Sequence, residues 1–341
     1  MSERLHLGIP CRLRKPLSLP GKSCHLQLSS ITFQNPPQQK ESLHAALESL
    51  GAAFDTGDLD SLYRCTVALV CADGTTKSVT LSSANTQLHG LNTDTRGFRF
   101  GYEPEIAAVI DFFVGNDGTL VDVGANFGYF PLYLASREAF RGTVHAFEPS
   151  SRGLKDLEKL VAGFDLGDRI RIHRCALGDS SGDTEMFLSH SDGLTTMVAS
   201  MAGRQEKVVG KQTVELRTLD DFSLPRIDLI KIDVEGAEAL VIAGGLNAIK
   251  THLPVVVFES WASVDDSGAF AKLLDCGYRF FVPTWKNGES HMTTSIDDAV
   301  DPMKLVLVSF LDTERKNLPE RANIVAIHSE RVDAVSSTGT Q

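Results

Sequence analysis

Acidic residues and glycines stand at the ends of several apolar runs. Side chains at these positions could bind a ligand or take part in a reaction. The four stretches are residues 122–128, Glu148, Asp179 and residues 233–238. In a parallel α/β sheet, ligands bind beyond the carboxyl ends of the strands, so positions far apart in sequence meet there. Gly124 and Gly128 would let a ligand approach the backbone, since a β-carbon would intrude. The pattern predicts a ligand site assembled from separate strand ends.

The first stretch reads Asp122-Val-Gly-Ala-Asn-Phe-Gly128. A glycine-rich turn alone is weak evidence, because dinucleotide-binding enzymes use a related one. Here the third glycine of G-x-G-x-x-G is missing, and Asp122 would place negative charge beside a pyrophosphate. S-adenosylmethionine has no phosphate and carries an ammonium and a sulfonium, so the acid would attract it. The turn therefore favours a methyl donor, and the chain has no P-loop motif for phosphoryl transfer.

Glu148 ends the next predicted strand, twenty residues after Gly128, and Pro149 follows it. A carboxylate at this position can accept hydrogen bonds from both hydroxyls of a ribose. Together with the acid-led turn, Glu148 predicts that the ligand is a nucleoside.

Hydrophobic periodicity predicts alternating strands and helices along the central chain. The predicted helices are 104–113, 127–138, 152–163 and 236–249, and the predicted strands are 120–123, 143–147, 170–174, 185–189, 214–218, 228–232 and 255–259. Two further β-like runs, 304–310 and 324–328, would close the sheet. This order predicts an α/β fold with a doubly wound, mostly parallel, Rossmann-like sheet.

The segments at either end differ in composition from this central part. Residues 1–45 are expected to form a flexible basic arm, since residues 1–40 hold six basic side chains and one acidic one. Residues 46–100 would form a small β-rich cap with strands 67–70 and 78–81 around an Asp-Gly turn. Residues 101–330 would be the catalytic domain, and residues 331–341 a disordered tail.

Charge, apolar runs and cysteine spacing argue against several classes of protein. The formal net charge of −11 argues against binding to nucleic acid backbones. No apolar run reaches the about 18 residues of a membrane span, and no secretory signal is recognisable. The six cysteines lack metal-binding spacing and are consistent with reduced thiols. We expect a cytoplasmic protein; its oligomeric state is not predicted.

Five segments together resemble the FkbM family of S-adenosylmethionine-dependent methyltransferases. They are Val121 to Phe130, Phe147-Glu-Pro149, Ala176-Leu-Gly-Asp179, Arg217-Thr-Leu-Asp-Asp221 and Lys231-Ile-Asp-Val-Glu-Gly-Ala-Glu238. The resemblance covers roughly residues 98–330. It implies a class I methyltransferase fold and methyl transfer, usually to a hydroxyl oxygen of a sugar, polyketide or other small metabolite or glycan.

The resemblance also assigns cofactor residues by position. Residues that would bind the methionine end are Asp122, Gly124, Asn126 and Gly128; Glu148 would bind the ribose; and the segment 175–179, with Ala176 and Asp179, would lie near the adenine. Family members often have an Asn-rich segment after the Glu-Pro pair, where this chain has Ser150-Ser-Arg152. That part of the pocket is therefore less well predicted.

Methyl transfer to a hydroxyl also needs a group that takes the proton. Asp233 and Glu235 are the candidate catalytic residues, with Glu235 as the general base. Alternatively, Asp233 binds the cofactor ammonium while Glu235 and Glu238 cap the following helix. A third possibility is a divalent cation held by Asp233 and Glu259, although no metal is expected. Lys231, in an apolar strand, would have to pair with an acid or face the pocket.

Two other functions compete with a methyltransferase. One is a non-catalytic protein that binds S-adenosylmethionine or a partner and retains the fold. The other is an NAD-dependent oxidoreductase, which the absence of a Tyr-x-x-x-Lys pair disfavours. His190 in a polar loop and Trp261 after the fifth strand could each face an acceptor, whereas His145 and His173 are expected to be structural.

Overall fold

The computed structural model describes the central part of the chain and several strands before it. The described residues are 4–5, 10–11, 25–33, 63–70, 76–82, 102–189, 195–199, 202, 208–262, 267–287, 291–293 and 303–332. His190 and much of the predicted arm, cap and tail lie outside these residues. The predicted division into arm, cap, catalytic domain and tail therefore stays a prediction.

The strands and helices follow one another along the chain as predicted for an α/β protein. The strands are β1 (Arg4–Leu5), β2 (Pro10–Cys11), β3 (His25–Phe33), β4 (Tyr63–Val70), β5 (Thr76–Ser82), β6 (Thr119–Val123), β7 (Thr143–Phe147), β8 (Ile170–His173), β9 (Ala176–Leu177), β10 (Gly182–Ser189), β11 (Val208–Arg217), β12 (Leu229–Ile232), β13 (Val255–Trp261), β14 (Tyr278–Asn287), β15 (His291–Thr293), β16 (Met303–Phe310) and β17 (Arg321–His328). The helices are α1 (Pro104–Phe113), α2 (Tyr129–Ala135), α3 (Ser151–Gly163), α4 (Glu238–Gly244), α5 (Leu246–His252) and α6 (Ser267–Asp275), with short 3₁₀ helices at Leu219–Phe222 and Asp312–Asn317.

The main sheet has the strand order β1-β16-β14-β17-β13-β12-β6-β7-β8, with β2 and β15 paired at its margin. Strands β8, β7, β6, β12 and β13 are parallel, and β17 runs antiparallel to β13. The chain runs outward from β6 to β8 on one side and returns to β12 on the other. The strand order therefore reverses at β6, and a crevice for a ligand opens at such a point.

Helices cover both faces of this sheet, which confirms the predicted doubly wound α/β class. Successive residues of β6 point to opposite faces, so Leu120 belongs to the core under α1, α2 and α3, and Val121 to the core under α4 and α6. Apolar side chains of β4 and β5, such as Leu81, join the first of these cores. None of the described helices has the length and apolar character needed to cross a membrane.

Three features of the fold differ from the sequence prediction. The predicted strands 185–189 and 214–218 belong to a separate three-stranded sheet, β10-β11-β9. The predicted helix 236–249 is two helices, because the chain breaks at Gly245. The predicted closing strands β16 and β17 are both present, but β14, which the sequence did not reveal, lies between them.

Gly244, at the end of α4, packs against backbone. A β-carbon at this position would lie 1.9 Å from the carbonyl oxygen of Gly178, just after β9. Only glycine lets α4 approach the chain so closely. This contact fixes the turn that follows β9, and β9 forms one wall of the crevice described below.

His145 of β7 and His173 of β8 form a half-buried pair, as expected for structural residues. Their nearest ring nitrogens, Nδ1 and Nε2, are 3.0 Å apart, and His173 also stacks on Phe147. Burial and the neighbouring His173 lower the pKa of His145 to about 4, and burial also lowers the pKa of His173. The pair is therefore neutral in the folded protein at neutral pH.

We expect Gly244→Ala to lower the free energy of unfolding by about 1–3 kcal/mol, because the added methyl group forces α4 away from residue 178. Urea unfolding of the purified protein measures this. Gly167→Ala is the control, since a β-carbon there meets nothing within 4 Å. Equal stability of the two variants would show that α4 adjusts without cost.

The contribution of the His145–His173 pair to stability should fall as the pH drops from about 6.5 towards 4. An unfolded histidine has a pKa of about 6.5, so these two residues bind more protons in the unfolded chain than in the folded one in this range. We expect His145→Gln to reduce the loss of stability between pH 7 and pH 5 by about 1 kcal/mol, a figure discounted because the rings are partly exposed. An identical pH dependence in the variant and the parent would contradict this.

Candidate active site

A cavity with an empty volume of about 870 Å³ opens at the point where the strand order reverses. Its walls come from the turn between β6 and α2, the end of β7, β9, residues 195 and 197, and the end of β12. The structure thus brings together most of the strand ends that the sequence singled out.

The turn between β6 and α2 is fixed by its neighbours on both sides. The backbone amides of Gly124 and Ala125 each donate to the carbonyl of Phe147, at 3.0 Å. Gly124 has a φ of +82°, and a β-carbon there would lie 1.9 Å from the carbonyl oxygen of Asp233. Asn126 also has a positive φ, of 50°. This part of the chain therefore turns tightly between the ends of β7 and β12.

Gly128 has a different role from the one predicted. It is the residue before α2, with a φ of +92°, and does not line the cavity. A β-carbon there would lie 2.4 Å from Cδ1 of Leu157 in α3. Gly128 is thus needed for packing between two helices, and its predicted contact with the methionine end is not supported by its position.

Glu148 lies at the end of β7 with only 6% of its surface exposed. Its Oε2 accepts a hydrogen bond from the amide of Asn126, and its Oε1 accepts one from the amide of Ser150, each at 2.7 Å. A β-carbon at Gly153 would lie 3.1 Å from the carboxyl carbon of Glu148, so α3 also packs closely on it. The carboxylate is held in one orientation at the cavity wall.

The wall beyond Glu148 is apolar. It is formed by Phe147, Cys175, Ala176, Leu177, Met186 and Met197. Burial and the Glu215 carboxylate raise the pKa of the Cys175 thiol to about 11, so this cysteine is a neutral lining residue. The two methionines come from the β10–β11 region, whose place over the cavity was not evident from the sequence.

Asp179 does not reach this wall. Its side chain is exposed, accepts a hydrogen bond from the hydroxyl of Ser180 at 3.3 Å, and lies outside the cavity lining. The physical reason is the close contact between Gly178 and Gly244, which turns the chain towards solvent after β9. Of the predicted adenine-side residues, Ala176 lies at the cavity and Asp179 does not.

Lys231 is a buried cation at the cavity, with 5% of its surface exposed. Its Nζ lies 3.1 Å from Oδ2 of Asp233 and 3.7 Å from Oδ1 of Asp122, and 5.1 Å from the centre of the Phe130 ring. Burial alone would lower the pKa of Lys231, but Asp233, Asp122 and Glu103 outweigh it and raise the pKa. Lys231 therefore does both things expected of it: it pairs with acids and it lines the pocket.

The charge of Asp122 is shared with Lys231. Burial raises the pKa of Asp122 to about 6, although the Lys231 ammonium opposes the shift. From the sequence, Asp122 is expected to attract a cationic ligand. In the folded protein its attraction for a ligand is reduced, because a lysine from the neighbouring strand already neutralises part of it.

Asp233, Glu235 and Glu259, which we call the acid cluster, come together at one edge of the cavity. One carboxylate oxygen from each residue lies within 4.8 Å of the other two. Burial and the neighbouring charges of Asp233 and Glu259 raise the pKa of Glu235 to about 9, with Arg321 opposing. Burial likewise raises the pKa of Glu259. In the ligand-free protein, Glu235 is thus mostly protonated at neutral pH.

Arg321, the first residue of β17, enters the acid cluster from a neighbouring strand. Its Nε forms an ion pair with Oε1 of Glu259, and its Nη2 lies 3.8 Å from Oε1 of Glu235. Trp261, its register partner in β13, donates from Nε1 to Oε2 of Glu259 at 2.9 Å. The sequence did not single out Arg321, because it lies between the two predicted closing strands, 304–310 and 324–328. Trp261 orients an acid here.

Glu238, the first residue of α4, bonds back to the turn before this helix. Its Oε1 accepts hydrogen bonds from the amides of Val234 and Gly236, at 3.3 and 3.1 Å. These bonds hold the turn that follows β12. Glu235, which has a φ of 54°, instead carries its side chain into the acid cluster. The two glutamates of this turn therefore differ in role.

A second, outer cavity, with an empty volume of about 580 Å³, lies beside the first. It is lined by Tyr102, Glu103, Glu259, Arg321, Ala322 and Asn323, and Tyr102 lines both cavities. Glu103 has a φ of 42°, and its buried Oε2 has no hydrogen-bond partner among the described residues. Burial raises the pKa of Glu103 to about 8, with Lys231 opposing. Glu103 was not recognised from the sequence.

Comparison with known proteins matches part of the chain to one family. The sequence model of the Methyltransferase FkbM domain matches residues 122–280. Methyltransferase 1 of Beauveria bassiana is 28% identical over 148 residues, which are 38% of this chain and 59% of that protein. Methyltransferase sdnD of Sordaria araneosa is 30% identical over 171 residues, 42% of this chain and 66% of that protein.

A third relative, 2-O-methyltransferase NoeI of Sinorhizobium fredii, is 32% identical over 145 residues, 38% of this chain and 58% of that protein. The chain thus spans less than two thirds of the length of each of these relatives. The matched segment contains the glycine turn, Glu148, Lys231 and all three residues of the acid cluster. Residues 122–280 of this chain therefore match a methyltransferase domain of the FkbM family.

Proposed function

We propose that this protein is an S-adenosylmethionine-dependent O-methyltransferase that acts on a hydroxyl group of a small molecule or glycan. The observation that carries the proposal is the Glu148 carboxylate, held by two backbone amides beside the tight turn at Gly124. It stands in a cavity whose other charged side chains are three acids and one lysine. Such a cavity suits a nucleoside that bears positive charge.

The cofactor would lie along the cavity, with its adenine at the apolar wall and its methionine end at the acid cluster. The Glu148 carboxylate accepts from the amides of Asn126 and Ser150, and a carboxylate oxygen can accept more than one hydrogen bond, so ribose hydroxyls can also donate to it. The apolar wall around Phe147 and Leu177 would take the adenine. Asp233, at the other end, would attract the ammonium and sulfonium. The predicted contacts of Asn126 and Ala176 also fit this orientation.

The acceptor hydroxyl must lie in line with the S–CH₃ bond and lose its proton as it attacks. We assign proton acceptance to Glu235, because it lines the cofactor cavity and belongs to the acid cluster. The positive charge of a bound cofactor would favour the ionised form of Glu235. Oxygen as the atom methylated is supported by the name of one relative, a 2-O-methyltransferase.

Glu148→Ala should weaken the binding of S-adenosylhomocysteine by about 30- to 100-fold, because two ribose hydroxyls lose their acceptor at a cost of about 2–3 kcal/mol. Isothermal titration calorimetry measures the dissociation constant. Glu185→Ala is the control, since that carboxylate is 60% exposed on β10. An unchanged affinity in a folded Glu148→Ala protein would remove this residue from the site.

Glu235→Gln should lower kcat by at least about 10²-fold while the affinity for S-adenosylhomocysteine changes little. In the parent protein kcat should rise with pH as Glu235 ionises, and this rise should be lost in the variant. The assay is S-adenosylhomocysteine release with a panel of hydroxylated metabolites. Wild-type turnover in Glu235→Gln would reject the role, and cofactor binding without release on any acceptor would favour a non-catalytic binding protein.

A further inference from the structure

The acid cluster separates the two cavities. Asp233 and Glu235 line the cofactor cavity, whereas Glu259 lines the outer cavity. Three carboxylate oxygens within 4.8 Å of one another resemble the oxygen ligands that hard divalent cations prefer. Three acids this close would repel one another strongly if all were ionised, so the cluster needs protons or positive charge among them.

The chain itself supplies that positive charge. Asp233 accepts a hydrogen bond from Nζ of Lys231 at 3.1 Å. Glu259 is ion-paired with Nε of Arg321, and Glu235 lies 3.8 Å from Nη2 of the same guanidinium. Each carboxylate of the cluster therefore has a cationic partner, and one arginine serves two of them.

We propose that the Arg321 guanidinium takes the place of a divalent cation in the acid cluster, as a positioning residue that holds Glu235 and Glu259 together between the two cavities. Its consequence for methyl transfer rests on the proposed function, because Glu235 is the assigned proton acceptor. The charge balance itself does not depend on that assignment.

The surroundings of Arg321 suit this task. An arginine stays charged at all physiological pH values, and its planar group can engage two carboxylates at once. The guanidinium lies 5.2 Å from the centre of the Trp261 ring, and the indole of Trp261 also binds Glu259. The Glu259 carboxylate and the Arg321 guanidinium are thus both held by the Trp261 side chain.

A second arginine fixes the backbone on which Arg321 stands. Arg315 donates to the hydroxyl and the carbonyl of Ser260, each at 2.6 Å, and to the carbonyls of Pro319 and Glu320 at 2.8 and 2.9 Å. These bonds tie the chain just before β17 to the end of β13. They keep Arg321 opposite Trp261, where it reaches Glu259.

If Arg321 is replaced by alanine, Glu235 and Glu259 lose their cation while the three carboxylates stay close together. Thermal unfolding with Mn²⁺ alone, without cofactor or acceptor, tests this. We expect Arg321→Ala to melt below the parent, and millimolar Mn²⁺ to raise its Tm by at least about 2 °C, as a ligand of the folded state does. The parent should show no such response.

Three further variants keep the test specific. Arg321→Lys retains the charge and should not respond to Mn²⁺, and the double variant Arg321→Ala/Glu259→Gln should lose the response of Arg321→Ala. Arg174→Ala is the control, because Arg174 forms a comparable ion pair with Glu158 at the protein surface. If Arg321→Ala is insoluble, Arg321→Gln takes its place in the same measurement.

Two outcomes would overturn the proposal: an Arg321→Ala protein as stable as the parent, or a Mn²⁺ response of equal size in both. The test is independent of the proposed function, because it measures no turnover. A protein that transfers no methyl group but shows the Mn²⁺ response would refute the function and retain the role of Arg321. A protein that transfers methyl groups, but whose Arg321→Ala variant shows no Mn²⁺ response, would refute the role of Arg321 and retain the proposed function.

Discussion

The site is organised around one buried charge, the ammonium of Lys231. An uncompensated ammonium in the interior is costly, so its position in β12 requires acids close by. Asp122 on the adjacent strand β6 and Asp233 just beyond β12 meet this requirement, at 3.7 and 3.1 Å. These strands are the two between which the strand order reverses. The ion pairs therefore hold the functional acids at the place where the topology opens a crevice.

Burial then sets the protonation of the acids around this cation. It raises the pKa of Asp122 to about 6, of Glu103 to about 8 and of Glu235 to about 9. The ligand-free site thus holds protons near neutral pH, and a cationic ligand would favour their release. Such a site binds a positively charged cofactor and becomes able to accept a proton in the same event, which is what methyl transfer to a hydroxyl would need.

The two cavities draw on different parts of the chain. The glycine turn, Glu148 and Lys231 lie within residues 122–280, the segment matched by the FkbM domain. Tyr102, Glu103 and Arg321, which line the outer cavity, lie before or after that segment. Most of the part of the site proposed for the cofactor therefore lies within the matched domain, whereas the outer cavity, apart from Glu259, is lined by residues outside it.

The sequence by itself determined the α/β class, the glycine turn and the acids at the strand ends, because these follow from local periodicity and from steric limits on short segments. It also indicated that His145 and His173 are structural and that Lys231 needs an acid partner. Tertiary structure decided what depends on contacts between distant segments. Arg321 meets Glu259 only because β17 pairs antiparallel with β13, and Asp179 turns to solvent because α4 packs on Gly178. No local pattern encodes such pairings, since they arise from how strands and helices already formed are brought together.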